Sequence, residues 1–107
     1  MNECAHCGAE DAPEDGIVVG KTSEGGDSTC NVCLHSHLHE GTSLSNQEAH
    51  VAALKMLGYS HASIADLLQD LHKEPKPAKS TVDEYSSRIN TKIDRAKQTY
   101  TKLEPLA

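Results

Sequence analysis

The sequence predicts a mainly α-helical protein: a small N-terminal module with a short β-hairpin, followed by three helices of which the last is long. Three observations support this fold class. All four cysteines lie in the first third of the 107-residue chain, in two pairs. Apolar residues adopt helical spacing only from Leu44 onward. From Ser80 to Leu103 no glycine or proline interrupts that spacing.

Charge divides the chain into two units, residues 1–40 and residues 41–107. The first holds one lysine and eight acidic residues, a net charge of −7, and the second holds nine basic and eight acidic residues, a net charge of +1. Within residues 73–103, eight basic residues accompany four acidic ones. The overall charge of −6, which by itself argues against a nucleic-acid partner, therefore belongs to the N-terminal unit.

Composition excludes several classes of protein. The apolar runs are too short for a transmembrane helix. The N-terminus lacks a basic region followed by an apolar stretch, so we expect no secretory signal and a cytoplasmic location. With 36% hydrophobic residues and neither Phe nor Trp, the chain has little material for a catalytic cleft. No nucleophile–base pair or open metal site is apparent, so we do not expect an enzyme.

The first 40 residues contain too few apolar side chains for a core of their own. Ile17–Val19, bounded by Gly16 and Gly20, predicts one short strand. The polar run Ser23–Ser28 predicts a turn or loop. A unit of this size and composition needs an added crosslink, either disulfides or a metal ion.

Two C-x-x-C pairs, Cys4/Cys7 and Cys30/Cys33, are separated by 22 residues. Each pair places two thiolates on one tight turn, and two such turns supply the four tetrahedral ligands that Zn²⁺ prefers. A site with four thiolates has no open position for water, so we expect one structural zinc ion per chain. The alternatives are two disulfides, which would fit a secreted chain, or a redox motif, which normally sits in a βαβ unit.

This cysteine pattern resembles that of zinc-ribbon and treble-clef fingers over about residues 3–39. The resemblance implies a first knuckle at Cys4 and Cys7, a hairpin that includes Ile17–Val19, and a second knuckle or the start of a short helix at Cys30 and Cys33. Nearby histidines offer alternative ligands, and His37 or His39 could replace a cysteine or bind a second metal. Because four cysteines already complete the coordination sphere, we expect surface roles for His6, His35, His37 and His39.

The first two helices of the second unit have clear boundaries. Ser45, with Glu48 three positions later, forms a capping box. Gly58 suits the left-handed position that ends a helix. The apolar positions of this first helix are Ala49, Ala52, Ala53, Met56 and Leu57. Those of the second are Ile64, Ala65, Leu67, Leu68 and Leu71, before two prolines that cannot continue it.

The third helix is predicted to start at Ser80, with Asp83 at N3, three positions later. Its apolar residues recur on average every 3.5 positions, at Val82, Tyr85, Ile89, Ile93, Ala96, Tyr100 and Leu103. We expect one helix of roughly six turns. The part from Ile93 onward has little of the monomer left to cover it. This predicts either a homodimer through the C-terminal helix or docking of that helix on the zinc module.

Four segments of the second unit carry a family resemblance: Leu44-Ser45-Asn46-Gln47-Glu48-Ala49, Gly58-Tyr59-Ser60, Ile64-Ala65-Asp66-Leu67-Leu68 and Ser80-Thr81-Val82-Asp83-Glu84-Tyr85. In this order, residues 44–103 resemble LuxR-type and sigma-factor region-4-like helix-turn-helix domains. The archaeal Tfx-type version, whose last helix continues without a break, is the most similar. This resemblance implies a trihelical helix-turn-helix, and together with the zinc-finger resemblance of residues 3–39 an N-terminal zinc finger followed by that domain. The chain departs from the family at Gln69–Lys79, a longer link with two prolines.

The resemblance implies a small zinc-containing, DNA-binding transcription regulator that binds double-stranded DNA. Its recognition helix, starting at Ser80, would read base edges from its N-terminal turns. The start of the preceding helix and the lysines of the link (Lys73, Lys76 and Lys79) would meet phosphates. The expected DNA contacts are Ser60, His61, Lys76, Lys79, Ser80, Thr81, Asp83, Glu84, Ser87 and Arg88.

A protein-interaction adaptor is the alternative function. In this interpretation the acidic zinc module recruits a partner, such as a protein of the transcription machinery, and the helical domain is a scaffold. Asp83 and Glu84 favour it, since two carboxylates near a phosphate backbone cost electrostatic energy. The net charge of +4 over residues 73–103 opposes it.

Overall fold

A computed structural model describes residues 3–22, 25–72 and 78–106. Two antiparallel strands, β1 and β2, precede four helices, α1 to α4. Short 3-10 turns occupy Pro13–Asp15 and Glu104–Leu106. The strands and helices are β1 Val19–Thr22, β2 Gly25–Cys30, α1 Asn31–Gly41, α2 Asn46–Met56, α3 His61–His72 and α4 Lys79–Leu103. The predicted fold class, mainly helical with an N-terminal hairpin and a long C-terminal helix, is confirmed.

The hairpin begins two residues later than the apolar run predicted. Ile17 forms an isolated bridge with Ala12, and the amide of Val18 donates to Asn31 Oδ1 at 3.1 Å. Strand pairing therefore starts at Val19, opposite Cys30. The prediction of a loop over the polar run 23–28 is wrong for Gly25–Ser28, which lies in β2. Residues 23–24 lie outside the described residues. Pairing with β1 satisfies the backbone hydrogen-bonding groups of this polar segment, despite its low β-propensity.

The second cysteine pair begins a helix, which was one of the two arrangements left open by the sequence. Cys30 is the N-cap of α1, and its sulfur accepts a hydrogen bond from the Cys33 amide at 3.4 Å. The helix continues for 11 residues and packs along α2. The α2 helix is therefore covered by α1 as well as by α3 and α4.

Both ends of α2 follow the predicted local chemistry. Ser45 Oγ accepts from the Glu48 amide at 3.2 Å, and the Ser45 amide donates to Glu48 Oε1 at 3.0 Å. Gly58 has φ 95°, and hydrogen bonds from Gly58 to the Lys55 carbonyl and from Tyr59 to the Leu54 carbonyl complete a Schellman motif. The capping box and the left-handed glycine are confirmed.

The core lies between α2, α3 and α4. Its fully buried side chains include Val51, Leu54, Ile64 and Val82. The apolar face predicted for α2 is wrong in part, because Met56 is 37% exposed whereas Val51 and Leu54 are buried. The physical reason is the packing of α2: Val51 and Leu54 lie in the core with Ile64 and Val82, whereas Met56 lines an open groove beside α4. In α3 the predicted residues Ile64, Ala65, Leu67 and Leu68 are buried, as expected.

The α4 helix is a single uninterrupted helix of 25 residues, about seven turns. The helix begins before the predicted Ser80: Ala78 is the N-cap and uses no side chain, while its carbonyl accepts from the amides of Thr81 and Val82. Thr81, and not Asp83 as predicted, therefore occupies N3. Val82 and Ile89 are buried, but Tyr100 and Leu103 are 67% and 53% exposed. No helix among the described residues combines the length and apolar content needed to cross a bilayer.

The N-terminal module packs on the end of α3. Gly16 is buried with φ 74°, and a Cβ built there would lie 2.5 Å from Leu71 Cα. Val18, two residues later, belongs to the main core. The buried Asn31 donates from Nδ2 to the Gly16 carbonyl at 2.9 Å. These contacts join the module directly to the helices.

Candidate metal centre and nucleic-acid interface

Cys4 and Cys7 lie on a tight knuckle that is closed by backbone hydrogen bonds. The Gly8 amide donates to the Cys4 carbonyl at 2.9 Å, and the Cys4 amide donates to the Ala9 carbonyl at 2.8 Å. Gly8 has φ 76°, which explains the glycine after the second cysteine. A further bond from the Ala5 amide to the Ser28 carbonyl, 2.9 Å long, connects the knuckle to β2. The first pair is thereby held beside the strand that carries Cys30.

The four cysteine sulfurs converge on one point. Their Sγ atoms all lie within 4.8 Å of one another, with 3.8 Å between Cys4 and Cys33 and 3.7 Å between Cys7 and Cys30. A tetrahedral site with metal–sulfur bonds of about 2.3 Å needs sulfur–sulfur separations of about 3.8 Å. Disulfide sulfurs would be about 2.05 Å apart, and all four cysteines are free thiols. The group is placed to hold a metal ion.

Burial opposes the ionisation of two of the four thiols, those of Cys30 and Cys33. Burial raises the pKa of Cys33, and the neighbouring sulfurs of Cys30, Cys7 and Cys4 raise it further. Burial also raises the pKa of Cys30. Burial acts in the same direction on Cys4, but amide hydrogen bonds from Cys30, Cys7 and His6 outweigh it and lower its pKa to about 5. A bound cation would stabilise four thiolates together, with release of the protons that remained.

The histidines do not join the cysteine group. His35 Nε2 lies 2.7 Å from Asn46 Oδ1, and its ring stacks on the His50 ring with centroids 3.7 Å apart. His39 Nδ1 lies 3.1 Å from the Leu44 carbonyl. His6 and His37 are exposed. Among the described residues, the four cysteines are the one set of three or more metal-ligating side chains that cluster.

The sequence did not indicate two residues that support the centre and its neighbourhood. Asn31 is fully buried and holds the 16–18 segment through both the oxygen and the nitrogen of its side-chain amide, which bind the Val18 amide and the Gly16 carbonyl. His50 is buried between α1 and α2 against His35. The only indication in the sequence of the role of Asn31 was its position between the two cysteines of the second C-x-x-C pair. Its contact with Gly16, 15 residues earlier in the chain, depends on the folded hairpin.

The residues predicted for DNA contact gather around the first turns of α4. Ser80, Glu84, Ser87 and Arg88 are exposed, whereas Thr81 is half-buried. Ser60 is exposed at the start of α3, where its Oγ accepts from the Ser63 amide at 3.2 Å. Lys76, together with Lys73, lies outside the described residues.

Several of these residues bind one another. His61 Nδ1 forms a short hydrogen bond with Asp83 Oδ1, which connects the start of α3 to α4. Lys79 Nζ lies 3.3 Å from the other Asp83 oxygen, Oδ2. The hydrogen bond from His61, and then Lys79, hold the pKa of Asp83 below its usual value. One turn further, an Arg88 guanidinium nitrogen lies 2.6 Å from Glu84 Oε1.

No protein-family model, curated protein or solved structure matches this chain. Its function must therefore be inferred from its own residues. The two features available are a four-cysteine centre that can hold a metal ion and a polar, exposed face on the first turns of α4.

Proposed function

We propose that this protein is a small DNA-binding transcription regulator whose N-terminal module holds one structural zinc ion. The observation that carries the proposal is the two-sided character of the first half of α4. Val82 and Ile89 are buried against α2 and α3, while Ser80, Ser87 and Arg88 on the same helix are exposed. A helix anchored on one face and polar on the other can enter a major groove.

The donor set supports zinc. Four thiolates in a tetrahedron suit Zn²⁺, which binds Cys sulfur strongly and is almost always four-coordinate and tetrahedral in structural sites. With all four positions taken by protein, the ion would stabilise the fold and would have no place for a substrate. The order of elements, with a knuckle, a hairpin and then a helix that carries the second pair in its first turn, favours the treble-clef resemblance over the zinc ribbon.

The charge pattern of α4 supports a phosphate-rich partner. The helix carries six basic and three acidic residues. Two of the three carboxylates are compensated: Asp83 by Lys79 and His61, and Glu84 by Arg88. The electrostatic objection raised by Asp83 and Glu84 is therefore weakened, because each carboxylate faces a cation before any phosphate approaches.

A salt titration of duplex-DNA binding tests the proposal. Fluorescence anisotropy with a labelled duplex should show affinity at low salt that falls steeply as salt rises. The double variant Lys79→Ala/Arg88→Ala should weaken binding and reduce the salt slope by about 1 to 2. Lys21→Ala, an exposed lysine on β1, is the matched control and should leave both unchanged. Absence of duplex binding at low salt, or equal effects of the two changes, would contradict the proposal.

A protein-interaction adaptor is the second candidate, favoured by the surface of the N-terminal module. Its acidic side chains at Glu3, Glu10, Asp11, Glu14 and Asp15 are all exposed. A basic partner could be recruited through this surface. The same anisotropy experiment separates the two candidates, because an adaptor whose helices are only a scaffold would not bind the duplex at low salt.

A further inference from the structure

The second half of α4 presents an apolar stripe to solvent. Ile93, Tyr100 and Leu103 are 44%, 67% and 53% exposed, and Ala96 lies between them on the same face. In heptad terms, Ile93 and Tyr100 occupy one core position and Ala96 and Leu103 the other. The described part of the N-terminal module does not cover them, so the docking alternative considered from the sequence receives no support here.

The stripe continues into an open groove beside α2. The groove has a volume of about 560 Å³ and is lined by residues from the end of α1, the following connection, α2 and α4. Most of them are apolar, and the polar ones are Thr42, Ser43, Lys55, Asn90 and Lys92. Ile93 and Ala96 belong both to this groove and to the shallower depression that extends to Tyr100. Its other apolar lining residues are Leu38, Leu44, Ala52, Met56 and Ile89. Each chain therefore carries this groove and, further along α4, a protruding apolar end.

The chain exposes more surface than a compact monomer of its size. The accessible surface is 6756 Å², whereas a compact monomer of 11.5 kDa would expose about 5,800 Å². The radius of gyration, 14.8 Å, likewise exceeds the ~13 Å expected for this length.

We propose that this surface binds a second copy of the chain, with the C-terminal halves of the two α4 helices antiparallel. When the two-fold axis crosses the helices at the height of residue 98, Ile93 lies at the level of Leu103 of the second copy, and Ala96 at the level of Tyr100. The apolar end of each helix then reaches the groove of the other chain. A two-fold contact of this kind is closed, so it produces a dimer and not a filament.

Flanking charges favour the antiparallel arrangement over the parallel one. In a parallel pair, Lys97 would lie near Lys92 of the second copy, whose ammonium is already bound to Glu48 and to the Ser43 carbonyl, so Lys97 would gain no partner. In the antiparallel pair, Lys97 approaches Glu104 of the second copy, and symmetry makes this contact twice. Lys97 and Glu104 are both exposed in the single chain and thus available.

Sedimentation equilibrium of the full chain without nucleic acid tests the dimer independently of the proposed function. The wild-type protein should dimerise, and Leu103→Asp should raise the dimer Kd on the order of 100-fold, since both copies lose a core side chain and place a charge there. Gln98→Asp, on the opposite face of α4, is the control and should change the Kd little. Circular dichroism should show the same helix content for all three, because Leu103 and Gln98 are exposed.

Charge exchange tests the orientation. Lys97→Glu should weaken the dimer several-fold, and the double variant Lys97→Glu/Glu104→Lys should restore it. A Lys97→Glu change that leaves the dimer Kd unchanged or lowers it would overturn the antiparallel arrangement, because that arrangement places the introduced carboxylate beside Glu104 of the second copy. A wild-type protein that stays monomeric at all concentrations, or a Leu103→Asp variant that dimerises normally, would overturn the dimer itself.

Discussion

Lys92 Nζ lies 2.6 Å from Glu48 Oε1, so that α4 is fastened to the first turn of α2 by a largely buried ion pair. The Glu48 side chain is 6% exposed, and its Oε1 also receives the Ser45 amide of the capping box. Lys92 additionally donates to the Ser43 carbonyl at 2.7 Å. One lysine thus joins the long helix to the cap and to the connection that precedes it.

Replacing Lys92 by Met should therefore destabilise the protein. The substitution keeps the aliphatic part but leaves the Glu48 carboxylate buried without its cation, which costs about 2–4 kcal/mol of unfolding free energy. Chemical denaturation should report this loss. Lys102→Met, an exposed lysine further along α4, should change stability by less than about 0.5 kcal/mol. Equal effects of the two substitutions would show that the ion pair contributes nothing.

The same pair predicts a pH dependence. The hydrogen bond from Lys92, with that from Ser45, lowers the pKa of Glu48 in the folded protein. Its folded pKa is below the unfolded value of about 4.3, so its contribution is present above that value and lost as pH falls through the folded pKa. The free energy of unfolding should decrease on acidification below about pH 5, and less steeply in Glu48→Gln. Acid also protonates the cysteines of the metal centre, so the difference between the two proteins is the quantity to measure.

Removal of the metal should unfold the N-terminal module. Purified protein is expected to contain about one zinc ion per chain, and a strong chelator or Cys30→Ser should abolish ordered structure around the hairpin, because the module has little core besides its ligands. Elemental analysis and amide hydrogen exchange would measure both effects. His39→Ala is the matched control and should keep the full metal content. Retention of protected hairpin amides after complete metal removal would rule out a structural role.

The DNA proposal predicts a gain of affinity from one substitution. Glu84 holds Arg88 in an exposed ion pair, so Glu84→Gln should release the guanidinium and remove a negative charge from the same face. Duplex affinity at moderate salt should rise about three- to tenfold, with a steeper salt dependence. Glu10→Gln, which removes a charge from the N-terminal module, should have a smaller effect. A loss of affinity in Glu84→Gln would instead indicate that the carboxylate itself contacts DNA.

Local chemistry explains what could be predicted from the sequence. The capping box at Ser45 and Glu48, the left-handed Gly58 and the two cysteine pairs each encode their geometry within a few residues, and the structure contains all of them. The long-range contacts had no such signal. His61 and Asp83 were both predicted to face DNA, yet they bind each other, because the packing of α3 on α4 brings positions 22 residues apart together.

The packing of α1 on α2 could not be predicted from the sequence pattern either. The sequence of α1 is rich in histidine and has few apolar residues, so nothing in it indicated a helix that would cover α2. On α2, α1 contacts Asn46 and His50 through His35, while Val51 and Leu54 pack in the core with Ile64 and Val82, so a simple one-sided stripe no longer describes α2. Met56 lines an open groove, which the pattern did not indicate.

A pair of glycine substitutions can measure how much the docking of the N-terminal module on α3 contributes. Gly16 and Gly58 have φ of 74° and 95°, so alanine is strained at either position. A Cβ at Gly58 would meet nothing within 4 Å, whereas one at Gly16 would collide with the backbone of Leu71. Gly58→Ala should therefore cost about 1 kcal/mol, the conformational strain alone.

Gly16→Ala should cost at least about 2–3 kcal/mol, because the collision with a helix backbone adds to that strain. Its extra effect should be confined to the contact between the module and α3, so hydrogen exchange should increase at Leu71 and Val18 while the zinc content stays at one ion per chain. Equal destabilisation by the two substitutions would mean that the module and the helices contribute to stability independently, despite their contact at Gly16.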